Sequence, residues 1–475
     1  GGDFGDYNSW RNFTLDGFLT SNGTPKPTWH ELSCAVAPCY MRFENGVLTV
    51  KNTYDFTALR HAVLHYDILE DYRVVRSESV ALDGLMPHET AVIPLDTAVR
   101  EPLAGASYFV NVTVSLAGKK LGQKQFALGK PLAARPFEAP NEKPLVTLSN
   151  GRLTVAGKTF AVRFENGVIT HYESGGETLI DAPMRFNFWR APTDNDGIFG
   201  LAGRHIDEWN GRYLSHFECF ARKTEVTETE NAVCVTVHGK CQPFSHYVGF
   251  DTEIRYTVYA DGTIKTDTHM TPFGNFCATL PRIGVMFTLN KPFRKAAWYG
   301  RGPEQSYPDS VLGRNIGFYA ADIADMNFLF DVPQETGNHE NTRFVTVKEE
   351  DGCGFSVIGS DEFAFSFHPF SLENLTAAHH KNELAESDRN YLYIDYKMRG
   401  LGSFSCGPEP EEAFELRPHE FRFVFTLSPQ TDAAAVLSLA RRDFGSKTAK
   451  LTDSYTYVPL AEKTKREVAD CSFEE

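Results

Sequence analysis

The sequence predicts an all-β protein, a small sandwich followed by a much larger one, and three observations lead there. Aromatic residues make up 13% of the chain, with 37 Phe and 19 Tyr. Its apolar stretches are short and rich in Val, Thr, Phe and Tyr, residues suited to a pleated, half-buried surface. The Asn-Gly dipeptides Asn45-Gly46 and Asn166-Gly167 stand between such stretches and mark hairpins whose turn needs positive φ at both central residues. Helical stretches of useful length are few, and 475 residues exceed one ordinary core, so two or more domains are expected.

In chain order, residues 1–30 are rich in Gly, Asp and Asn, and Thr24-Pro-Lys-Pro27 cannot continue a helix or a central strand. The segment reads as the irregular end of a domain whose body is absent. Met41–Glu44 and Val47–Asn52 then form the first hairpin, and runs at His61–Leu69, Glu78–Leu82, Glu89–Pro94 and Ser107–Leu116 follow at sandwich-like spacing. These make one domain over 31–135. Lys130–Pro144 has four prolines and no periodicity, the mark of a semi-rigid linker. Beyond it, Arg163–Val168 repeats Arg42–Val47 letter for letter, but the flanks do not match. The two segments are read as independent hairpins sharing turn chemistry. Strand-like runs continue to Phe421–Leu427, giving one large sandwich within 136–428, and Asp432–Phe444 has helical spacing inside a 429–475 extension.

Composition excludes several functions. Net charge is −15 with pI about 5.5, and no dense Lys/Arg run could neutralise a row of phosphates, so nucleic acid is not expected as a partner. No apolar run approaches the ~20 residues of a membrane-spanning helix. The nine cysteines are odd in number and scattered without CxxC spacing. Reduced, mostly buried thiols in a cytoplasmic protein fit that pattern better than a disulfide framework or a zinc site. The chain begins Gly-Gly-Asp-Phe without Met or a signal sequence, which leads to the expectation that residues are missing upstream.

The densest polar constellation is Asp194 with Asp196 in Arg190-Ala-Pro-Thr-Asp-Asn-Asp-Gly197. In an extended segment residues i and i+2 share a face, with side chains about 7 Å apart, a spacing that suits an inverting carboxylate pair. The bland alternative is a turn that hydrogen-bonds its own backbone. Asn141-Glu142 lies in the linker and Asn382-Glu383 in a polar stretch, so neither supplies an acid and a nucleophile at strand ends. His379-His380 reads as a solvated or capping pair, since neighbours on a strand point to opposite faces. Cys406 has no recognisable His partner and reads as a buried small hydrophobe.

Six segments in order, Gly1–Asp6, Thr24–Pro27, Phe188–Asp196, Trp298–Glu304 with Tyr307–Asp309, Pro333–Asn338 and Gly400–Pro408, resemble the signature set of the large β-galactosidases of glycoside hydrolase family 2. The resemblance implies a C-terminal portion: 1–30 a remnant of a (β/α)₈ catalytic barrel, 31–135 an immunoglobulin-like sandwich and 136–428 a galactose-mutarotase-like supersandwich. It implies that the intact protein is a retaining enzyme for terminal β-D-galactosides such as lactose. The two catalytic glutamates lie in the missing N-terminal portion, so this chain alone is expected to be inactive. It also implies that Phe13 and Asp16 face an active-site sodium, Asp16 standing where the family has Asn, that Cys406 walls the sugar site, and that the Asp194–Asp196 loop reaches toward the barrel mouth. Magnesium in the intact enzyme, a homo-oligomer and a cytoplasmic, bacterial setting belong to the same expectation. The rival readings are a stand-alone carbohydrate-binding sandwich, a small subunit completing an enzyme on another chain, and epimerisation of sugars by the mutarotase-like domain itself, for which no His and Glu pair stands out.

Overall fold

The computed structural model describes residues 17–82, 84–149, 151–197 and 205–445, with the backbone of the strand Asp453–Tyr457. The protein is all-β, and its chain divides into two compact units.

The first unit comprises residues 1–135 with 299–304 and 310–319. Three strands, Cys39–Glu44, Val47–Asn52 and Thr90–Pro94, form one sheet. Four more, Arg73–Leu82, Ala62–Glu70, Tyr108–Leu116 and Lys119–Ala127, form another in that spatial order. Alternation places Leu48 and Val50 of the first sheet in one buried cluster with Leu64, Tyr66, Val110, Val112 and Val114 of the second, the arrangement of a two-sheet sandwich. Asn45 and Gly46 have φ of 49° and 79°, so the hairpin forms with Glu44 opposite Val47, as its turn residues require. The last strand, Lys119–Ala127, had no signal in the sequence because Lys and Gln dominate it. Thr24–Pro27 does not end regular structure: a helix runs Pro27–Ala35, across the expected boundary at residue 30. Proline is unfavourable inside a helix but well suited to its first position, where no donor is needed.

The second unit comprises 136–298, 305–309 and the chain from 320 onward. A five-stranded meander covers residues 145–180. It contains the Asn166-Gly167 hairpin, with Glu165 opposite Val168 and φ of 49° and 81° at Asn166 and Gly167. The larger sheet has an edge strand Arg185–Asn187, followed in space by Arg282–Asn290, Arg389–Met398, Gly354–His368, Phe421–Ser428, Ile264–Gly274, Val248–Tyr259, Ala232–Gln242 and Glu218–Glu228. Sequence neighbours are thus interleaved with distant strands, which brings segments far apart in the chain to one end of the sheet. The C-terminal helix is Ala433–Ala440, shorter than the spacing implied, capped by Asp432 Oδ1 accepting from Ala434 and Ala435 N–H. Residues after it turn extended: Phe137 N–H donates to Asp443 carbonyl at 2.7 Å, and the Phe137 and Phe444 rings stack at 4.4 Å. The part of the proline-rich stretch around Phe137 is therefore pinned within this unit by the described part of the C-terminal extension.

Candidate functional site

The segment after the edge strand Arg185–Asn187 is shaped by its own side chains. Asn187 accepts from Trp189 N–H at 3.2 Å and donates to Trp189 carbonyl at 2.9 Å, turning the chain. Thr193 then caps a single 3-10 turn, Asp194–Asp196: Asp196 Oδ2 accepts from Thr193 N–H at 2.9 Å and from its hydroxyl at 3.1 Å. Gly197, at φ 96°, ends it. The extended geometry that would set Asp194 and Asp196 on one face does not occur, because the Asp196 carboxylate is used up locally, as Asp clusters in turns commonly are. It is wholly buried and meets Arg190, also wholly buried, through Nη2 at 2.7 Å and Nε at 3.2 Å, with Arg399 at 3.5 Å. A carboxylate held this way is neither a general acid nor in contact with solvent. Asp194 is half-buried.

A second loop is built on the same pair of arginines. Arg190 Nη1 donates to Arg399 carbonyl at 2.6 Å and Nη2 to Gly400 carbonyl at 3.3 Å. Leu401 and Gly402 N–H donate to the Asp309 carboxylate at 2.9 and 2.7 Å. Any side chain at Gly400 would meet Asp309 Cγ at 2.8 Å, and Gly402 sits at φ 65°, so the close approach depends on glycine at both positions. Asn195 joins the loops: its Nδ2 donates to Gly402 carbonyl at 2.8 Å, and its Oδ1 accepts from Ser405 N–H at 3.0 Å and Ser405 hydroxyl at 2.8 Å. Cys406 stands at the tip of this loop and is exposed, so it is not the buried small hydrophobe that its isolation suggested.

Beneath the loops lies a dense ionic layer. Arg399 is fully buried and donates to Glu415 at 2.7 and 2.9 Å and to Glu409 at 2.9 Å, and His205 Nε2 lies 2.8 Å from Glu409. Burial works against the Arg399 charge, but Glu415 and then Asp196 outweigh it and raise its pKa. Deeper, Arg282 pairs with Asp395 at 2.8 Å, donates to Ser366 hydroxyl at 2.8 Å and covers the Tyr393 ring at 4.7 Å. Burial lifts the Asp395 carboxyl to about 7 against the pull of Arg282. It likewise raises Glu335, which lies 3.4 Å from Tyr307 hydroxyl, against the pull of Arg282 and Arg190.

The signature residues that fall in this unit, Phe188–Asp196, Tyr307–Asp309, Pro333–Asn338 and Gly400–Pro408, are thus one construction. Phe188–Asp196 and Gly400–Pro408 are the two loops, and Asp309 of the third segment holds the second loop. Glu335 and Asn338 of the fourth tie back to Tyr307 and to Ser306 carbonyl, the latter at 2.8 Å. Sequence reasoning singled out Asp194, Asp196 and Cys406 but passed over Asn195, Asp309, Arg190 and Arg399, although all four stand within or beside the quoted segments. Phe13 and Asp16 lie outside the described residues. His379 and His380 are not ligands: both bind Glu383, His380 Nδ1 at 2.7 Å and His379 through its N–H at 2.9 Å. Among the described residues no group of three or more His, Cys, Asp or Glu could hold a metal ion, and no helix is long and apolar enough to cross a membrane.

Residues 156–427 match the family described as beta galactosidase small chain, and residues 48–125 match beta-galactosidase domain 4. The chain belongs to the β-galactosidase small-chain family. Curated relatives named beta-galactosidase include those of Actinobacillus pleuropneumoniae, 27% identical over 447 residues covering 90% of this chain and 42% of that protein, and of Kluyveromyces lactis, 27% identical over 441 residues covering 90% and 41%. A third, from an Arthrobacter species, is 28% identical over 452 residues covering 88% and 43%. The chain therefore spans about two fifths of the length of these relatives, in line with the expected C-terminal portion of a β-galactosidase. Both loops, the arginine pair and the acidic layer fall within the small-chain match.

Proposed function

We propose that this chain supplies the substrate-facing loops of a retaining β-galactosidase of glycoside hydrolase family 2, acting on terminal β-D-galactosides such as lactose, with the bond-breaking carboxylates carried outside it. The observation that carries this reading is the Asn195 clamp. Two family segments, 207–210 residues apart in the chain, are locked over a buried ionic base and present the exposed Cys406 on a held loop. A loop fixed in this way positions groups against a ligand, while Asp196, one of the two carboxylates whose spacing suggested an acid pair, is committed to two arginines. A retaining mechanism needs two carboxyl groups about 5–5.5 Å apart, and the family resemblance puts that pair on the portion of the enzyme outside this chain. In the intact enzyme, the carbonyl of Phe13 and the carboxylate of Asp16 are oxygen donors of the type that suits sodium or another hard cation.

The test is kinetic. The isolated chain should not cleave a chromogenic β-galactoside above background, and Cys406→Trp in the full-length enzyme should change apparent affinity and aglycone preference more than the degalactosylation rate common to all galactosides. Turnover by the isolated chain, or kinetic constants untouched by Cys406→Trp, would sink the proposal. The family's description as a small chain favours a second reading, a subunit that completes an enzyme on a separate polypeptide. Activity restored by mixing this chain with a separately encoded barrel chain would select it.

A further inference from the structure

Strands Glu218–Glu228 and Ala232–Gln242 run antiparallel, and their register sets Cys219 directly opposite Cys241. Opposed residues of an antiparallel pair hold their Cα atoms about 4.5 or 5.5 Å apart, and both distances lie inside the ~4.4–6.8 Å that a disulfide spans. Opposed side chains also share a face of the sheet. Here Cys241 is completely buried and Cys219 half-buried, and the two thiols are within hydrogen-bonding reach of each other. Both are free. The next strand places Phe250, itself fully buried, opposite Cys241, so the inner sulfur sits in a dry, closed site while the outer one has access to solvent.

We infer that Cys219 and Cys241 form an oxidisable dithiol, a modification site that closes to a cross-strand disulfide when the protein meets a peroxide-class oxidant. The arrangement assigns the two sulfurs different parts. Burial and the neighbouring Cys219 hold Cys241 well above the ordinary thiol pKa, so it stays protonated and is a poor first nucleophile. Cys219 reacts first: its thiolate attacks one peroxide oxygen, the O–O bond breaks, and the departing hydroxide takes up the Cys219 proton as water, leaving a sulfenic acid. The Cys241 sulfur then attacks the Cys219 sulfur, the S–S bond forms, the S–O bond breaks, and the second water leaves with the Cys241 proton. Two thiols and one peroxide give one disulfide and two waters, with two electrons passing from the sulfurs to the peroxide. The short distance to Cys241 favours this closure over further oxidation of Cys219, and the bond ties the strand that follows the turn Leu214–His216 to its neighbour.

The experiment treats the purified chain carrying Cys406→Ser, which removes the exposed competing thiol, with hydrogen peroxide. Remaining thiols are alkylated under denaturing conditions, and peptides are mapped by mass spectrometry without reduction. A Cys219–Cys241 cross-linked peptide, lost after dithiothreitol, is the expected result. Total thiols should fall from eight to six, the sequence having nine cysteines before the substitution. Adding Cys241→Ser should leave Cys219 as a dimedone-reactive sulfenic acid with no cross-link, and adding Cys219→Ser should leave Cys241 unoxidised. The oxidised parent should melt at a higher temperature than the reduced one, a difference absent from both serine variants. Cys241 recovered as the alkylated thiol while Cys219 is oxidised would overturn the inference, as would both residues recovered alkylated.

Discussion

Replacing Asp196 with alanine would delete the acceptor for both Arg190 contacts and for Thr193 N–H, and would leave Arg190 and Arg399 buried with one fewer counter-charge. Removing one member of a buried ion pair costs about 3–5 kcal/mol, because the surviving charge has lost its water as well as its partner. The second unit contains about 320 residues, and at roughly 2.1 cal/mol/K of unfolding entropy per residue it loses ~0.7 kcal/mol per degree near its midpoint. The substitution should therefore lower the melting temperature of that unit by about 4–7 °C. Differential scanning calorimetry of the isolated chain measures this directly, and urea unfolding should show the same loss at an unchanged m-value. A shift below about 1 °C would refute the buried-pair argument. An unchanged melting point combined with weakened galactoside binding in the full-length enzyme would return Asp196 to a direct role at the sugar.

Other consequences follow from the same geometry. Asn195→Ala removes three hydrogen bonds between the loops, at a cost of about 1–3 kcal/mol, and should speed amide exchange across residues 402–406; unchanged exchange there would remove the clamp. Among the described cysteines Cys406 is the exposed one, so brief maleimide treatment of the native chain should label it ahead of Cys39, Cys241 and Cys277, as peptide mapping would show. His368 is fully buried, its Nδ1 lies 2.5 Å from Asn327 Oδ1, and burial with the nearby Arg282 lowers its pKa from 6.5 to about 3. The unfolded chain takes up this proton as pH falls below about 6.5 while the folded chain does not, so His368 contributes stability above that pH and loses it progressively toward 3. Asp395, raised from 3.8 to about 7, acts in the opposite sense: its contribution is present below about 3.8 and is lost as pH rises toward 7. His368→Gln removes the first term and leaves the second, so its melting temperature at pH 4.5 relative to pH 7 should rise against wild type. A parallel pH profile for the two proteins would contradict the neutral buried imidazole.

The sequence by itself determined what is local. Asn-Gly dictates a turn with two positive φ values wherever it is flanked by strand residues, and both hairpins formed as read. Short runs rich in Val, Thr, Phe and Tyr suit a pleated, half-buried surface, and their spacing pointed to the first sandwich and the all-β class. The local reading also erred where residue preference and position conflict: Pro27 opens a helix, and the Lys- and Gln-rich strand Lys119–Ala127 forms because its backbone completes the sheet beside Tyr108–Leu116. Only the tertiary structure decided which residues meet. Nothing near Asn195 in the chain says that it grips Gly402 and Ser405, and nothing near Asp196 names Arg399. Cys219 and Cys241 become a pair only through strand register. Turn chemistry depends on a few neighbouring dihedral angles, whereas these contacts depend on how distant strands are ordered and how far each is shifted along its partner. That order is settled by burying the faces of the whole sheet at once, and no short stretch of sequence contains it.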